Sequence, residues 1–349
     1  MSGYFENLNE TVKNYFEVLS TEIPEFLHEY INTPEMQRIG KISCGCGTDY
    51  TKIFNNKFFY SNLDHSIGVA LIVWNFTKDK KQTLAGLFHD IATPVFKHCI
   101  DFMNGDYEIQ ESTEELTTEI IKNSKEIMRL LENDNIKIEE VDNYHIYPIA
   151  DNDTPKLSAD RLEYTLANGL YFKEVWSVEK IKEIYSNIEV QKNEDNIQEL
   201  GFKDKEIAEQ FIDGASQLWY KWISNEDKVT LQFFADTVRK MSEKNLLTKQ
   251  DLYTLSELEV INKIKDCKDE RISKCFKLFQ NATAIGESDE PVLDKYCISI
   301  NAKRRYIVPL VGSNDYYERI NNISSNAKEK IDDYLKYETK KYAYLDFNF

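Results

Sequence analysis

Apolar residues recur at helical spacing through most of the chain, with charged residues between them. Near the start, Leu8, Val12, Tyr15 and Leu19 fall on one face of an amphipathic helix. The fold class predicted from this pattern is mainly α. Further helices are predicted at residues 81–91, 96–103, 110–131, 159–171, 178–190, 204–223, 227–243 and 256–266.

One predicted helix is apolar on nearly every face and therefore belongs at the centre of the fold. Asp64 can cap it, and the apolar run continues from Ile67 to Phe76. His65 falls in its first turn, so the imidazole faces the interior and its nitrogens need partners. Those partners are a metal ion or, in the simpler structural alternative, a backbone carbonyl.

The C-terminal half departs from helical spacing at one place. Residues 296–309 are rich in β-forming side chains, which predicts a short strand or hairpin within 293–312. This stretch carries Lys303, Arg304 and Arg305 in succession. The three basic residues are a candidate phosphate clamp or a subunit contact, and solvated charges on an edge strand are the simpler alternative.

The chain has 349 residues, enough for one large domain or a domain with a smaller lobe. We predict a helical core with the functional site over residues 1–200. A helical lobe that includes the short β region is predicted over 201–349. Residues 191–200 and 281–291 are predicted as loops because turn-forming and polar residues dominate them.

Charge restricts the partners. The chain has 60 acidic and 43 basic residues, for a formal net charge of −17. Such a surface repels phosphate backbones, so nucleic-acid binding is not expected. It also repels nucleotides, so an anionic substrate must meet a local group of basic side chains together with a metal ion.

Nothing in the sequence indicates a membrane or an oxidising compartment, and a cytoplasmic protein is predicted. No apolar run approaches the about 20 residues that cross a bilayer, and residues 1–6 lack the order of a signal peptide. The six cysteines form no disulfide framework. Cys44 and Cys46 have no second pair at zinc-finger spacing, so we interpret them as buried thiols in a glycine-rich turn.

Three of the five histidines lie in one stretch, two of them beside a carboxylate. These are His65, which follows Asp64, the adjacent pair His89 and Asp90, and His98. Imidazole and carboxylate together suit a divalent first-row metal. Consecutive residues project about 100° apart on a helix, but a helix that stops before Pro94 can present both His89 and Asp90 to one cation.

His98 and Asp101 are three residues apart and share a helical face, as a hydrogen-bonded pair would. The alternative is a packed structural pair. His28 lies among surface-type neighbours and His145 in a polar, turn-rich segment, so neither is assigned to the site.

The ordered set His65, His89, Asp90 and Asp160 resembles the signature of the HD-domain phosphohydrolases. The flanking residues resemble the branch that includes deoxynucleoside triphosphate triphosphohydrolases. They are Gln37-Arg38, Asp64-His65-Ser66-x-Gly68-Val69, Pro94-x-Phe96-x-His98-x-x-Asp101 and Asp160-Arg161-x-x-Tyr164. The resemblance covers residues 34 to 170 and implies a helical HD fold.

The resemblance also implies roles for individual residues. His65, His89, Asp90 and Asp160 would bind one divalent transition metal such as manganese, iron, nickel or zinc, with magnesium as a counter-ion of the substrate. The implied catalytic residues are His98 as proton donor, Asp101 as its orienting partner and Glu111, with Glu108 as the alternative to Glu111. The implied substrate contacts are Arg161 and Tyr164 with phosphates, Asn168 near the sugar, and the basic run Lys303, Arg304 and Arg305.

Three positions depart from that branch. A His-Glu pair used in catalysis is replaced here by Glu111 or Glu108, which weakens direct transfer of that mechanism. An arginine three residues before the first ligand is replaced by Asn62, so a triphosphate tail would be held less firmly, and Asn168 stands where an acidic residue is usual, so sugar recognition would differ.

The predicted function is therefore hydrolysis of a nucleotide, foremost a (deoxy)nucleoside triphosphate, by water that the metal activates. The alternatives are a nucleotidase or other phosphomonoesterase, and a non-catalytic nucleotide sensor or partner-binding protein. A homo-oligomer is expected from the resemblance.

Overall fold

The computed structural model describes residues 4–110, 112–113, 116–172, 175–313 and 316–349. It is mainly helical, as predicted, with a small proportion of strand. The α-helices are α1 Glu10–Leu19, α2 Glu25–Ile31, α3 Pro34–Ile39, α4 Asn62–Thr77, α5 Lys80–Phe88, α6 His98–Met103, α7 Thr117–Asn123, α8 Lys125–Asn133, α9 Ala159–Tyr171, α10 Val178–Ser186, α11 Lys205–Trp222, α12 Asn225–Glu243, α13 Lys249–Thr254, α14 Glu257–Lys265, α15 Glu270–Asn281, α16 Ile320–Ile323 and α17 Ser325–Lys336.

Two small sheets complete the architecture. One has the strand order β1-β2-β5-β6, with β2 and β5 parallel and the other pairs antiparallel; the other is antiparallel with the order β3-β7-β4. The strands are β1 Ile188–Lys192, β2 Gln198–Phe202, β3 Gly286–Ser288, β4 Tyr296–Ile298, β5 Leu310–Ser313, β6 Tyr316–Arg319 and β7 Tyr342–Leu345.

Helix α4 is the buried centre of the fold, and it packs against α1, α5 and α9. Its N-terminus is closed by a capping box in which Ser61 Oγ accepts from the Asp64 amide at 3.1 Å and Asp64 Oδ2 accepts from the Ser61 amide at 2.7 Å. Ser61, not Asp64, is therefore the N-cap residue. His65 lies in the first turn, as predicted.

Several predicted elements end elsewhere in the structure. Residues 191–200, predicted as a loop, contribute to the β1–β2 hairpin, which turns at Asn196 with a left-handed backbone. The predicted strand at 296–309 is limited to β4, and the chain then runs without strand pairing to β5. The basic run 303–305 therefore lies in a connection between the two sheets, not on an edge strand.

Two clusters of buried apolar side chains form the core. The larger contains α4, α5, α9 and α11, and the smaller contains residues 95–102 and most of α12, α14 and α15. The predicted boundary after residue 200 falls inside β2, a strand that pairs with both β1 and β5. Among the described residues, no helix is both long and apolar enough to span a membrane.

Candidate metal centre

Four side chains from three parts of the chain converge at one point. His65 Nε2, at the start of α4, lies 3.1 Å from His89 Nε2 and 3.1 Å from Asp160 Oδ1 in the first turn of α9. Asp90 Oδ2 lies 3.9 Å from His65 Nε2 and 3.7 Å from His89 Nε2. All four residues predicted as ligands therefore face one another, and His65, His89 and Asp160 form the tightest group.

The turn after α5 places both members of the His-Asp pair. The helix ends at Phe88, and His89 and Asp90 follow it. Arg38 fixes this turn because its Nη2 donates to the carbonyl oxygens of Ile91 at 2.9 Å and Thr93 at 2.8 Å. Both side chains can consequently point to the same place although they are consecutive in sequence.

The other ring nitrogen of each histidine is held by an acceptor. His65 Nδ1 donates to the Glu163 carboxylate, and His89 Nδ1 donates to the Gly86 carbonyl oxygen at 2.7 Å. These bonds leave both Nε2 lone pairs directed at the Asp160 carboxylate and at each other. A cation between them converts mutual repulsion into ligation, and the bonds at Nδ1 are the usual outer partners of metal-binding histidines.

Glu163 is a functional residue that sequence reasoning missed. It is fully buried, and its Oε1 accepts from Tyr60 at 2.5 Å and from Tyr15 at 3.2 Å. A Cβ at Gly68 would lie 2.6 Å from Glu163 Oε1, so the glycine makes room for the carboxylate. The available signal was a glutamate three residues after Asp160, on the same face of a buried helix.

The charges at the site are strongly coupled. Burial lowers the pKa of His65, but the carboxylates of Glu163 and Asp160 outweigh it and raise the pKa to about 9. Burial raises the pKa of Asp160, and its contacts with His65 and His89 lower it below the usual range. The raised pKa of His65 reflects the excess of negative charge around its ring, and a divalent cation bound by the neutral rings would take the place of that proton. The residues present therefore fit a divalent cation.

Asp90 has a second partner that the sequence did not indicate. Lys97 Nζ donates to Asp90 Oδ2 at 2.6 Å and to Asn62 Oδ1 at 3.0 Å. Burial opposes both charges, yet their attraction leaves the pKa of Asp90 below and that of Lys97 above its ordinary value. An ammonium ion therefore lies beside the candidate metal ligands and bonds Asn62, the residue that precedes His65 by three positions.

His98 and Asp101 form the predicted pair. His98 Nδ1 donates to Asp101 Oδ2 at 3.0 Å, and Ser112 donates to Asp101 Oδ1 at 2.7 Å. Arg305 Nη2 lies 3.3 Å from His98 Nε2 and donates to Gln110 at 2.5 Å. Burial and the nearby guanidinium lower the pKa of His98 to about 4. The imidazole is then neutral at pH 7 and accepts from Arg305, an arrangement that does not favour proton donation.

Of the residues on α9 that were predicted to bind substrate, Arg161 uses its guanidinium for contacts within the protein. Its guanidinium donates to the Lys156 carbonyl oxygen at 2.7 Å and to both oxygens of Asn152, the side-chain contact at 2.5 Å. Arg161 thus fixes the preceding loop while lining the cavity. Tyr164 and Asn168 also line the cavity.

The basic run divides in two. Lys303 and Arg305 line the cavity. Arg304 points away and donates to the carbonyl oxygens of Tyr334 at 2.8 Å and Tyr337 at 2.6 Å, at the end of α17. The prediction that all three basic residues contact substrate is therefore not supported for Arg304, because its guanidinium closes a helix C-terminus instead.

The ligands open onto a cavity of about 560 Å³ where the two apolar clusters meet. His145 also lines it and bonds Asp151 at 2.8 Å. Glu108 is exposed and does not line the cavity, and Glu111 lies outside the described residues. The lining includes Cys44, Tyr60, Lys97, His98, Tyr144, Lys156, Tyr164, Tyr171, Phe172, Trp222, Asp227, Lys303 and Arg305.

Known proteins resemble this chain in fold over nearly its whole length. An uncharacterized protein, YdhJ, of Bacillus subtilis (strain 168) is 21% identical over 327 residues, which are 91% of this chain and 94% of that protein. A crystal structure of a phosphohydrolase from Bacteroides thetaiotaomicron VPI-5482 matches with a TM-score of 0.65 at 14% identity, covering 93% of this chain and 96% of that one. A hypothetical protein from Aquifex aeolicus matches with a TM-score of 0.60 at 16% identity, covering 93% of each chain.

The match to a protein family covers the residues of the candidate metal site. Residues 62–199 match the family model described as the HD domain. That range begins at the start of α4 and contains His65, His89, Asp90 and Asp160. Residues 62–199, which supply all four candidate ligands, are therefore the part of this chain that is similar to HD domains.

Proposed function

We propose that the chain is a metal-dependent phosphohydrolase whose substrate is a nucleotide, foremost a (deoxy)nucleoside triphosphate. The observation that carries this proposal is the convergence of two imidazoles and two carboxylates at the wall of a cavity that is also lined by Lys97, Lys156, Arg161, Lys303 and Arg305. In a chain of net charge −17, basic side chains gathered around one cavity indicate an anionic ligand.

A divalent ion held by His65, His89, Asp90 and Asp160 would supply Lewis acidity toward a phosphoryl oxygen and toward water. The protein provides position and charge. Glu163 holds the His65 ring so that Nε2 points at the centre. Arg305, fixed by Gln110 and His98, offers its guanidinium to phosphate oxygens, and such charge neutralisation is the main requirement of phosphoryl transfer.

Aromatic side chains support a nucleotide over a small phosphoester. The cavity volume lies in the range of small-molecule sites, and Tyr164 and Trp222 form an edge-to-face pair on its lining, with ring centroids 5.4 Å apart. Tyr144 lies against His89, 4.9 Å between centroids. Rings at these positions offer stacking surfaces to a nucleobase.

A product assay tests the proposal. The protein, purified without chelator and analysed for metal content, is incubated with deoxynucleoside and ribonucleoside mono-, di- and triphosphates in manganese, nickel, iron, zinc or magnesium. Inorganic triphosphate is the expected product from a triphosphate substrate. An Asp160→Asn variant purified in parallel controls for contaminating phosphatases.

Other outcomes decide between the alternatives. Release of phosphate from monophosphates alone would support the phosphomonoesterase, which is consistent with Asn62 in place of an arginine. Tight nucleotide binding without release of any product in all the metals would contradict an enzymatic function and support the sensor.

A further inference from the structure

The four candidate metal ligands alone do not explain why Lys97 lies beside them. Its side chain is 16% exposed, it lines the cavity, and its ammonium contacts a candidate metal ligand directly. Burying an ammonium is costly unless it is paired. A buried cation beside a metal site is unexpected because it repels the metal, so an opposite charge must make the arrangement favourable.

The backbone is shaped to bring this lysine to the site. Phe96 has φ +66° and Lys97 has φ +44° with ψ −114°, and positive φ values of this kind cost non-glycine residues free energy. Phe96 is fully buried and packs on Phe234, with ring centroids 4.5 Å apart. The amide of Val95 donates to the Leu252 carbonyl oxygen at 2.8 Å. Packing and hydrogen bonding therefore hold the turn that directs Lys97 toward Asp90.

Pairing with Asp90 accounts for only part of the ammonium's capacity. The group has three N–H donors. Asp90 and Asn62 take two of them, and no other described residue accepts the third. A divalent ion bound by Asp90 would also draw on the carboxylate charge that stabilises the Lys97 ammonium. An anionic oxygen between the two cations would supply the negative charge that is then lacking.

We propose that Lys97 binds the substrate phosphate beside the metal, by donating a hydrogen bond from its ammonium group to a phosphate oxygen. The proposal rests on the proposed function in that the ligand is a phosphate. Lys97 reaches the Asn62 side chain at 3.0 Å, so it supplies a positive charge to the position where this chain lacks an arginine. Arg305, which lies beside His98 and also lines the cavity, would act on the same anion.

Binding of inorganic phosphate to the manganese-loaded protein, measured by calorimetry, tests this role without turnover. Lys97→Met should weaken phosphate binding about tenfold or more, as expected from losing one charge-assisted hydrogen bond, while manganese stoichiometry stays unchanged. Lys97→Arg should retain most of the affinity. Lys328→Met removes an exposed lysine of α17 and should leave phosphate binding as in the wild type.

Two outcomes contradict the proposal. Unchanged phosphate affinity in Lys97→Met would leave Lys97 as a counter-ion of Asp90. Loss of manganese in that variant would make it a positioning residue for the ligand. If the methionine variant does not fold, Lys97→Gln, which keeps hydrogen bonding without charge, is measured instead under the same criteria. Absence of nucleotide hydrolysis would contradict the proposed function and not this inference, because phosphate binding is measured directly.

Discussion

The two sides of the cavity are built in different ways. The helical wall, defined by His65, His89, Asp90, Asp160 and Glu163, takes its side chains from the ends of packed helices and from the turn after α5. The basic wall, defined by His98, Lys303 and Arg305, combines the first residue of α6 with the connection between β4 and β5. The first wall is fixed by helix geometry, whereas both cationic side chains of the second come from a segment without repeating structure.

This difference has a functional meaning. Rigid helix ends hold ligands at short mutual distances, which metal coordination requires. A connection between sheets can vary its length and side chains without disturbing the core, which suits recognition of a substrate. We therefore expect changes in the helical wall to affect metal binding, and changes in the basic wall to affect affinity for an anionic substrate with the metal retained.

The largest effect is expected for Asp160→Asn, which keeps the shape of a ligand and removes its charge. Because a catalytic metal contributes several kcal/mol of transition-state stabilisation, turnover should fall at least about a thousandfold. Metal content, measured by elemental analysis, should fall with it. Asp266→Asn, at an exposed position after α14, should change neither. Full metal content in Asp160→Asn would remove this residue from the ligand set.

A smaller effect on the same wall is expected for Glu163→Gln. The amide can no longer hold His65 by a charged acceptor, and loss of such an outer partner costs about 10- to 100-fold in metal affinity or activity. Competition with a metal chelator measures the change. Glu206→Gln, exposed on α11, is the matched control. Equal metal affinity in both variants would show that Glu163 serves packing alone.

The space behind Glu163 gives a third test. In Gly68→Ala the new methyl would lie 2.6 to 2.9 Å from three atoms of Glu163, and overpacking of this kind costs about 1–3 kcal/mol of unfolding free energy. In Gly86→Ala the nearest atoms are methyl groups of Val69 at 3.2 Å and Val73 at 3.4 Å, which can shift. Chemical denaturation should therefore separate the two variants, and similar losses in both would contradict the close fit at Gly68.

The elements of the helical wall were largely predictable from the sequence, because the buried helix after His65 and the Ser158 cap of α9 follow from local pattern. The four candidate ligands were identified as a set by their resemblance to the HD-domain signature. Glu163 was not singled out, although the spacing from Asp160 was visible. Its role depends on contact with His65, which is 98 residues away in sequence.

The basic wall was predictable only in part, because its contacts are set by the path of a connection. The run 303–305 was visible as a charge cluster, but nothing in it distinguishes Arg304 from its neighbours. Lys97 could not be predicted for another reason: two consecutive residues with positive φ, Phe96 and Lys97, direct its side chain to Asp90, and neither is glycine. The β1–β2 hairpin was missed because polar side chains in 191–200 resemble a loop.

A fourth prediction separates the two arginines of that run. Arg305→Ala should raise the KM for an anionic substrate about tenfold, the cost of one lost charge-assisted hydrogen bond, with metal content unchanged. Arg304→Ala should leave KM unchanged and lower the unfolding free energy by about 1 kcal/mol, because two carbonyl oxygens at the end of α17 lose their donor. Equal KM values in the two variants would remove Arg305 from substrate binding.

The smallest effect is a pH dependence of stability in the basic wall. The pKa of His98 is about 4 in the folded protein against an ordinary 6.5, because burial and Arg305 outweigh Asp101. Between these values the unfolded chain takes up a proton that the folded chain does not, so this residue makes stability fall as pH decreases from 6.5 to 4. His98→Gln remains neutral throughout. Urea unfolding at pH 6.5 and pH 5.5 should show wild type losing about 1 kcal/mol more than the variant. An equal loss would mean that His98 is charged in the folded state, which the adjacent guanidinium of Arg305 opposes.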